Sequence, residues 1–250
     1  MVVVIAIAGC GRKPAPRSSA SLRVLTYNVY VGNPDVAGTA RLIERIDADV
    51  VVMQETTPAF ADEVRRRLGD RYPYMEFHVG PLGNGPGVLA RSAPSTAHYA
   101  PSTIGMNGVW VGTFGMGGRA VQIVDVHLHP TLPKSTNPID VASEYRRAEA
   151  VRVAQLDELR AVLDPAVPAV LIGDFNALPG SPTLVRLREL GWSDGLAGSA
   201  AATEPTYQLR GLGFHIDHIL VPTGVACNAP AIVREGTSDH VPVTATLAWR

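Results

Sequence analysis

Short apolar runs alternate along the chain with segments whose apolar residues recur every three or four positions. The runs are rich in Val, Ile and Leu, and their length is typical of buried β-strands. The segments between them have the periodicity of amphipathic helices packed on a core. The predicted strands cover residues 22–27, 49–54, 109–114, 120–127, 168–173, 216–221 and 241–248.

Helices are predicted from their start signals and apolar faces. Thr-Pro at 57–58 and Ser-Pro at 181–182 each place an N-cap residue before a proline at the first helical position. The longest helix is predicted from about 143 to 163, where Asp-Pro at 164–165 ends it. Because these helices alternate with strands, the pattern indicates the α/β class.

Two glycine-rich segments add detail to the predicted α/β class. The strands over 109–114 and 120–127 are separated by Gly115–Gly118, which favours an antiparallel hairpin. Antiparallel pairing therefore coexists with helical crossovers, and we predict mixed sheets. The segment 80–87 (GPLGNGPG) has too many glycines for a helix or a central strand and is predicted to be a mobile surface loop.

Length and composition indicate one soluble domain, which we place at residues 22–250. A chain of 250 residues with 46% hydrophobic content can bury a sizeable core. Its 22 Lys and Arg balance 23 Asp and Glu, so no global field attracts nucleic acid or anionic membranes. The two cysteines, Cys10 and Cys227, are far apart and indicate neither a disulfide framework nor a zinc site.

The first residues differ from the rest of the chain. Residues 1–8 are wholly apolar, IAGC at 7–10 ends at Cys10, and a Gly-, Arg-, Pro- and Ser-rich stretch follows. This leader, 1–21, resembles a bacterial lipoprotein signal, which implies a lipidated Cys10, a membrane tether and a place in the cell envelope or outside the cell. The apolar run is short and lacks a preceding basic region, which an upstream start codon would explain. The alternative is an unprocessed N-terminus with an idle Cys10 in a cytoplasmic protein.

Polar residues stand where the predicted strands end, at six places along the chain. Strand ends of an α/β fold face a crevice, whereas strand interiors face a core. Any one of these residues alone would carry little weight, but the repetition predicts one shared site. All are types that bind hard cations, phosphate oxygens or protons: Asn28, Glu55, His127, Asp174 with Asn176, Asp217, and Asp239 with His240.

The segments around these residues resemble, in order, the signature of the endonuclease/exonuclease/phosphatase family. The resemblance spans residues 22–248, and GDFN followed later by SDH is its most specific part. It implies a four-layer α/β/β/α sandwich, in which two mixed β-sheets are flanked by helices, and Mg²⁺-dependent hydrolysis of a phosphodiester, with Mn²⁺ as the alternative ion. The matching segments are TYNV (26–29), VVMQE (51–55), VDVHLHP (124–130), GDFNALPGSP (173–182), HIDHILV (215–221) and SDHVPVTATL (238–247).

The resemblance also implies a metal site. Glu55 matches the principal metal carboxylate, and Asn28 and Asp239 match residues close to the ion. Mg²⁺ prefers oxygen ligands and keeps several waters, so one or two carboxylates suffice. Such an ion acts as a Lewis acid and a template for the phosphate.

The remaining matches imply catalytic roles. Asp217 matches the acid that orients the imidazole of His240, and Asp174 and Asn176 match residues that position the attacking water and a phosphate oxygen. His127 matches a histidine that contacts the scissile phosphate, as a candidate general acid, in deoxyribonuclease-like and sphingomyelinase-like members.

Two further histidines qualify this set. His129 is the neighbouring alternative to His127, because residues two apart share a strand face. Pro130 is expected to end the strand, so His127 ranks first. His215 stands where many members carry an arginine, which departs from the family pattern.

The sequence is compatible with more than one substrate class. Nucleic acid is the first expectation, a sphingomyelin-like or inositol-phosphate substrate is the alternative, and an inactive binding module is a third reading. The only lysines are Lys13 and Lys134, which weakens the nuclease reading because backbone contacts need cations. A lipid enzyme would expose an apolar loop, for which residues 106–110 are the nearest candidate. We expect a monomer.

Overall fold

The computed structural model describes residues 20–80, 82–131 and 137–250. The expected leader, including Cys10, lies outside these residues except for its last two positions. The α-helices are α1 (Val36–Ile46), α2 (Pro58–Leu68), α3 (Pro138–Ala161) and α4 (Pro182–Glu189), and a short 3₁₀ helix spans Ala200–Thr203. The strands are β1 (Ser21–Asn28), β2 (Val50–Thr56), β3 (Tyr74–Phe77), β4 (Gly85–Ala90), β5 (Thr96–Ala100), β6 (Val109–Met116), β7 (Arg119–His127), β8 (Ala169–Asp174), β9 (Trp192–Asp194), β10 (Tyr207–Leu209), β11 (Leu212–Phe214), β12 (Asp217–Pro222), β13 (Val225–Ile232) and β14 (Val243–Trp249).

The strands form two mixed sheets of six strands each. The first has the order β13-β14-β1-β2-β4-β3, and the second has the order β5-β6-β7-β8-β12-β9. Each contains one parallel pair, β1 with β2 and β7 with β8, among antiparallel neighbours. The predicted hairpin is β6 and β7, which confirms that antiparallel pairing coexists with crossovers. Strands β10 and β11 form a separate small hairpin.

Alternation along the strands produces the layers. In β2, Val50 and Val52 face the second sheet and join a core between the sheets, whereas Val51 and Met53 face α1 and α2. The outer face of the second sheet packs in the same way against α3 and α4, through residues such as Leu156. The result is the four-layer α/β/β/α sandwich that the resemblance implied.

The helix start signals act as predicted. The hydroxyl of Thr57 accepts a hydrogen bond from the backbone N–H of Phe60 at 3.2 Å, and Ser181 caps α4 in the same way. Helix α3 begins at Pro138, earlier than the predicted 143, because Asn137 caps it and the proline supplies the first turn. Helix α1 was not predicted. No helix in the described ranges combines the length and apolarity that crossing a bilayer requires.

The loop prediction over 80–87 is wrong at its end, because Gly85, Pro86 and Gly87 belong to the buried strand β4. Glycine is needed there for close approach: a Cβ on Gly85 would stand 2.0 Å from the carbonyl oxygen of His78. Composition alone could not separate such a strand from a flexible loop.

Candidate active site

The site lies between the two sheets at one end of the sandwich. Residues two apart share a strand face, and Val24 and Val170 lie in the core between the sheets. Asn28 at the end of β1 and Asp174 at the end of β8 continue these faces beyond the core. His127 pairs with Asp174 in register, and Asp217 pairs with Asp174 from the other side. The strand-end residues therefore meet at one edge.

Glu55 reaches the site through an irregularity in β2. Alternation would turn its side chain toward the helices, but the pairing of β2 with β4 shifts register between Met53 and Thr56. Glu55 itself has a φ of 59°, in the left-handed region. Such bulges re-aim side chains and are frequent beside active sites. The conformation costs on the order of 1–3 kcal/mol, which the rest of the fold must offset.

An amide connects the carboxylates of the two sheets. Nδ2 of Asn28 donates to Oε1 of Glu55 and to Oδ2 of Asp174, at 3.1 Å in each case. Oδ1 of Asn28 accepts the backbone N–H of Tyr30, and Oε2 of Glu55 accepts that of Val31. Asn28 is thus a buried bridge that fixes both carboxylates.

His240 and Asp217 form a buried pair. Nδ1 of His240 lies 2.9 Å from Oδ2 of Asp217, and both side chains are almost fully buried. The hydroxyl of Thr206 holds the backbone of Asp217 by accepting its N–H at 3.0 Å. The ring of Tyr207 packs on the imidazole of His240, with 4.6 Å between ring centroids. The imidazole is therefore oriented by a carboxylate on one side and an aromatic ring on its face.

Two imidazoles converge on Asp174. Nε2 of His127 and Nε2 of His240 each lie 3.7 Å from Oδ2 of Asp174. Among the described residues, Asp174, Asp217 and His240 also form a group whose ligand atoms lie within 4.8 Å of one another, close enough to hold a metal ion. Asp174 is thus the common neighbour of both imidazoles.

The local field favours a charged imidazole. Burial alone would lower the pKa of His240, but the carboxylates of Asp217 and Asp174 outweigh it and raise that pKa. Burial raises the pKa of Asp217, and the imidazole of His240 opposes the rise. Burial also raises the pKa of Asp239, again opposed by His240. The site is therefore one electrostatic unit rather than a set of independent groups.

Asn176 is positioned by its backbone. Its φ is 50°, its N–H donates to Oδ1 of Asp174 at 2.8 Å, and its amide donates to the carbonyl of Leu128 at 3.0 Å. Tyr30 has a φ of 61°. Together with Glu55, three residues around the site adopt the left-handed conformation, and strain of this kind clusters at functional sites.

A pocket of about 460 Å³ opens over these groups. His127 lines the pocket, whereas Asn28, Asp217 and His129 do not. The backbone N–H of His129 donates instead to Gln155, and His215 binds the carbonyl of Glu204 through Nδ1. The expected site residues that line the pocket are Glu55, His127, Asp174, Asn176, Asp239 and His240.

Sequence reasoning missed three residues that shape the site. Tyr207 lines the pocket, Thr206 fixes Asp217, and the hydroxyl of Ser238 accepts the backbone N–H of His240 and donates to the carbonyl of Asn28. The only signal for Ser238 was its place in the SDH motif. Tyr207 begins the short β10–β11 hairpin, Thr206 directly precedes it, and neither strand of the hairpin has a clear periodicity.

Comparison with known proteins identifies a family and several structures of the same fold. Residues 25–240 match the family described as Endonuclease/Exonuclease/phosphatase family. The fold is shared with an endonuclease/exonuclease/phosphatase from Beutenbergia cavernae (20% identity, 92% of this chain and 72% of that one, TM-score 0.67). It is also shared with D. rerio TDP2 complexed with a single strand DNA product (17% identity, 91% of this chain and 99% of that one, TM-score 0.71). Sphingomyelinase C from Streptomyces griseocarneus has the same fold (21% identity, 90% of this chain and 99% of that one, TM-score 0.61).

One curated protein matches over a short stretch. This is the cysteine desulfurase IscS of Cronobacter sakazakii, 32% identical over 84 residues. The alignment covers 30% of this chain and only 21% of that protein, so the chain spans about a fifth of its length. The short match therefore carries no activity to this chain.

Proposed function

The chain belongs to the endonuclease/exonuclease/phosphatase family, and on that premise we propose that it hydrolyses phosphodiester bonds with the help of a bound divalent cation. The observation that supports this most directly is that Glu55, Asp239, Asp174 and the imidazoles of His127 and His240 line one pocket. Carboxylates suit a hard cation, and imidazoles suit a phosphate and its protons.

The oxygen donors fit Mg²⁺, with Mn²⁺ as the alternative. Glu55 and Asp239 would hold the ion from the pocket wall, with Asn28 beside them. Each oxygen of Glu55 accepts one hydrogen bond and keeps lone-pair capacity for a cation. When bound, the ion supplies positive charge that stabilises the phosphate and the leaving oxygen.

We assign the cluster of Asp174, Asp217 and His240 to proton handling rather than to the ion. The hydrogen bond between Nδ1 of His240 and Oδ2 of Asp217 already engages two of the three side chains, and the remaining ring nitrogen suits Mg²⁺ less well than an oxygen ligand does. Its three side chains are also buried, whereas Mg²⁺ keeps several waters. In this assignment Asp217 accepts the Nδ1–H of His240, and Nε2 faces the pocket to bind a phosphate oxygen.

The other groups complete the reaction. Asp174, between the two imidazoles, orients the attacking water and accepts its proton, and Asn176 holds a non-bridging phosphate oxygen. The water oxygen forms the new bond to phosphorus while the ester bond breaks. His127 donates the proton that the leaving oxygen needs. The products are a phosphomonoester and an alcohol.

The fold alone leaves open which groups the phosphodiester joins. One protein of this fold was solved with a single strand DNA product, and another is a sphingomyelinase. An inactive binding module is the competing class, and the presence of a competent side chain at every expected position argues against it.

Hydrolysis of bis(p-nitrophenyl) phosphate tests the proposal without assuming a natural substrate. We expect turnover with Mg²⁺ or Mn²⁺, none with EDTA, and a loss on the order of 10²-fold or more in His127→Ala. The matched control is His98→Ala, which removes an exposed imidazole from β5. Wild-type turnover that persists in EDTA, or His127→Ala with normal turnover, would contradict the proposal.

A further inference from the structure

Exposed apolar side chains gather at the mouth of the catalytic pocket. Among the described residues, ten large hydrophobic side chains are exposed, and five of the ten line this one pocket. A sixth, Leu212, pairs with one of them, Leu209, across the β10–β11 hairpin and is 64% exposed. We name this group the apolar rim: Tyr30, Val31, Leu82, Met106, Leu209 and Leu212.

The rim is assembled from separate parts of the chain. Tyr30 and Val31 follow β1, Leu82 lies between β3 and β4, and Met106 precedes β6. Scattered exposed apolar residues are ordinary on a protein surface, whereas several that converge from distant segments mark an interaction site. Here they converge on the opening through which a substrate must reach His127 and His240. The rim and the catalytic groups therefore belong to one recognition surface.

The described lining of the pocket carries carboxylates and imidazoles rather than the cations that bind a nucleic-acid backbone. No Lys or Arg occurs among the described residues that line it. A groove that follows a polyphosphate backbone needs such cations along its length. Arg210 is exposed at the tip of the β10–β11 hairpin, between Leu209 and Leu212 in the sequence. A lone cation between two exposed leucines suits the boundary between lipid head groups and acyl chains.

We propose that the substrate is a lipid phosphodiester, which the enzyme takes from a lipid surface on which the apolar rim rests. This rests on the proposed function, because the same pocket performs the hydrolysis. The head-group phosphate lies against His127 and His240, and the acyl region lies against the rim. Water adds to phosphorus, one ester bond breaks, and a phosphomonoester and an alcohol leave. Nucleic acid is the competing occupant, since Tyr207 and Phe214 could stack on bases.

The test compares substrates and rim variants. Wild-type enzyme with Mg²⁺ is assayed on vesicles of phosphatidylcholine and sphingomyelin, on single-stranded DNA and on bis(p-nitrophenyl) phosphate. We expect faster phosphodiester cleavage on vesicles than on DNA. The variants are Leu82→Ser and Leu212→Ser, with Val185→Ser as control because Val185 is an exposed apolar residue on α4 outside the pocket.

Each rim variant should lose about tenfold or more of vesicle turnover relative to its own bis(p-nitrophenyl) phosphate turnover. Val185→Ser should keep the wild-type ratio of vesicle turnover to bis(p-nitrophenyl) phosphate turnover. In sedimentation with vesicles, the wild type and Val185→Ser should bind more strongly than the rim variants. Preference for DNA, or rim variants that keep the wild-type ratio, would overturn the lipid assignment. Absence of bis(p-nitrophenyl) phosphate hydrolysis in the wild type would instead overturn the proposed function, and vesicle sedimentation would then decide the role of the rim.

Discussion

Gln54 in one sheet donates a hydrogen bond to Asp125 in the other, with 2.7 Å between Nε2 and Oδ1. Both side chains are buried between the sheets, and Gln54 also donates to Thr26 at 3.2 Å. The pair lies directly beneath the site, since Gln54 precedes Glu55 and Asp125 is two residues before His127. Burial raises the pKa of Asp125 to about 8, and the bond from Gln54 opposes part of that rise.

The raised pKa of Asp125 predicts a pH-dependent stability. Its pKa in the unfolded chain is about 3.9, so between pH 4 and 8 the folded state holds more protons than the unfolded state. The free energy of unfolding should therefore fall as pH rises through this window, by at most about 1.4 kcal/mol per pH unit from this group. The stabilisation is fully present below pH 4 and is lost above pH 8.

Asp125→Asn should remove this slope, because asparagine does not titrate and can still bond Gln54. Relative to wild type, the variant should gain stability as pH rises from 5 to 8, which urea unfolding at several pH values measures. Asp157→Asn is the control, since the side chain of Asp157 is 83% exposed on α3. An unchanged difference between Asp125→Asn and wild type across this range would show that Asp125 is ionised in the fold.

Glu55→Gln should weaken the binding of the proposed divalent cation. The amide keeps the shape of the side chain and its bond to the backbone of Val31, but it removes the negative charge. We expect turnover of bis(p-nitrophenyl) phosphate to fall by about 10²-fold or more at low Mg²⁺ and to recover in part as Mg²⁺ is raised. Glu189→Gln, on the exposed face of α4, is the control. Normal turnover at low Mg²⁺ would exclude Glu55 as the principal ligand.

A buried ion pair holds the wall of the pocket. Arg152 in α3 is fully buried and donates to Glu149 at 2.9 Å and to the carbonyl of His129 at 2.8 Å. It also donates to the hydroxyl of Thr131, which lines the pocket. Glu149 in turn accepts from the hydroxyl and the backbone N–H of Thr183 at the start of α4.

Arg152→Met should destabilise the fold by about 3–5 kcal/mol, because it leaves the carboxylate of Glu149 buried without its cation. Urea unfolding measures the change. Arg160→Met on the same helix is the control and should change stability by less than about 1 kcal/mol, since its ion pair is exposed. Adding Glu149→Gln to Arg152→Met should restore part of the loss. If Glu149→Gln restores none of the lost stability, the unpaired carboxylate of Glu149 is not the cause of the loss.

Local signals predicted the regular parts of the fold. The strand bearing Val50 and Val52 and the helix capped by Thr57 follow from periodicity and capping alone, since their apolar faces are continuous. Strands β3 and β5 were missed because they are short and half exposed, and β4 was missed because close packing demands glycine at Gly85 and Gly87. The packing that demands glycine there is tertiary and is invisible in one sequence.

The site was predictable to the extent that it follows strand alternation. Asn28, Asp174 and Asp217 continue strand faces that the pattern predicts to be buried, so two-residue periodicity predicts the face they share, and strand pairing brings them to one edge. The position of Glu55 does not follow from strand alternation, because its orientation depends on a bulge and a left-handed backbone. Its role was expected from the family resemblance alone.

The pairing of His240 with Asp217 carries the last prediction. If His240 acts as proposed, His240→Ala removes both the proposed phosphate contact and the proton at Nε2, and should lower kcat/KM by about 10²–10⁴-fold. Asp217→Asn keeps the imidazole but loses the carboxylate that orients it at 2.9 Å, and should lose a large part of the same amount. The pH profile of kcat/KM should also shift in Asp217→Asn, because the imidazole loses the charge that raises its pKa.

A double-mutant cycle on bis(p-nitrophenyl) phosphate distinguishes a catalytic unit from two separate contributions. If Asp217 acts only through His240, the double variant should be little worse than His240→Ala alone, because the second substitution has no oriented imidazole left to disturb. His98→Ala, which removes the exposed imidazole, is the control, and thermal unfolding of each variant separates lost chemistry from lost folding. Losses that multiply in the double variant would show that Asp217 and His240 act independently.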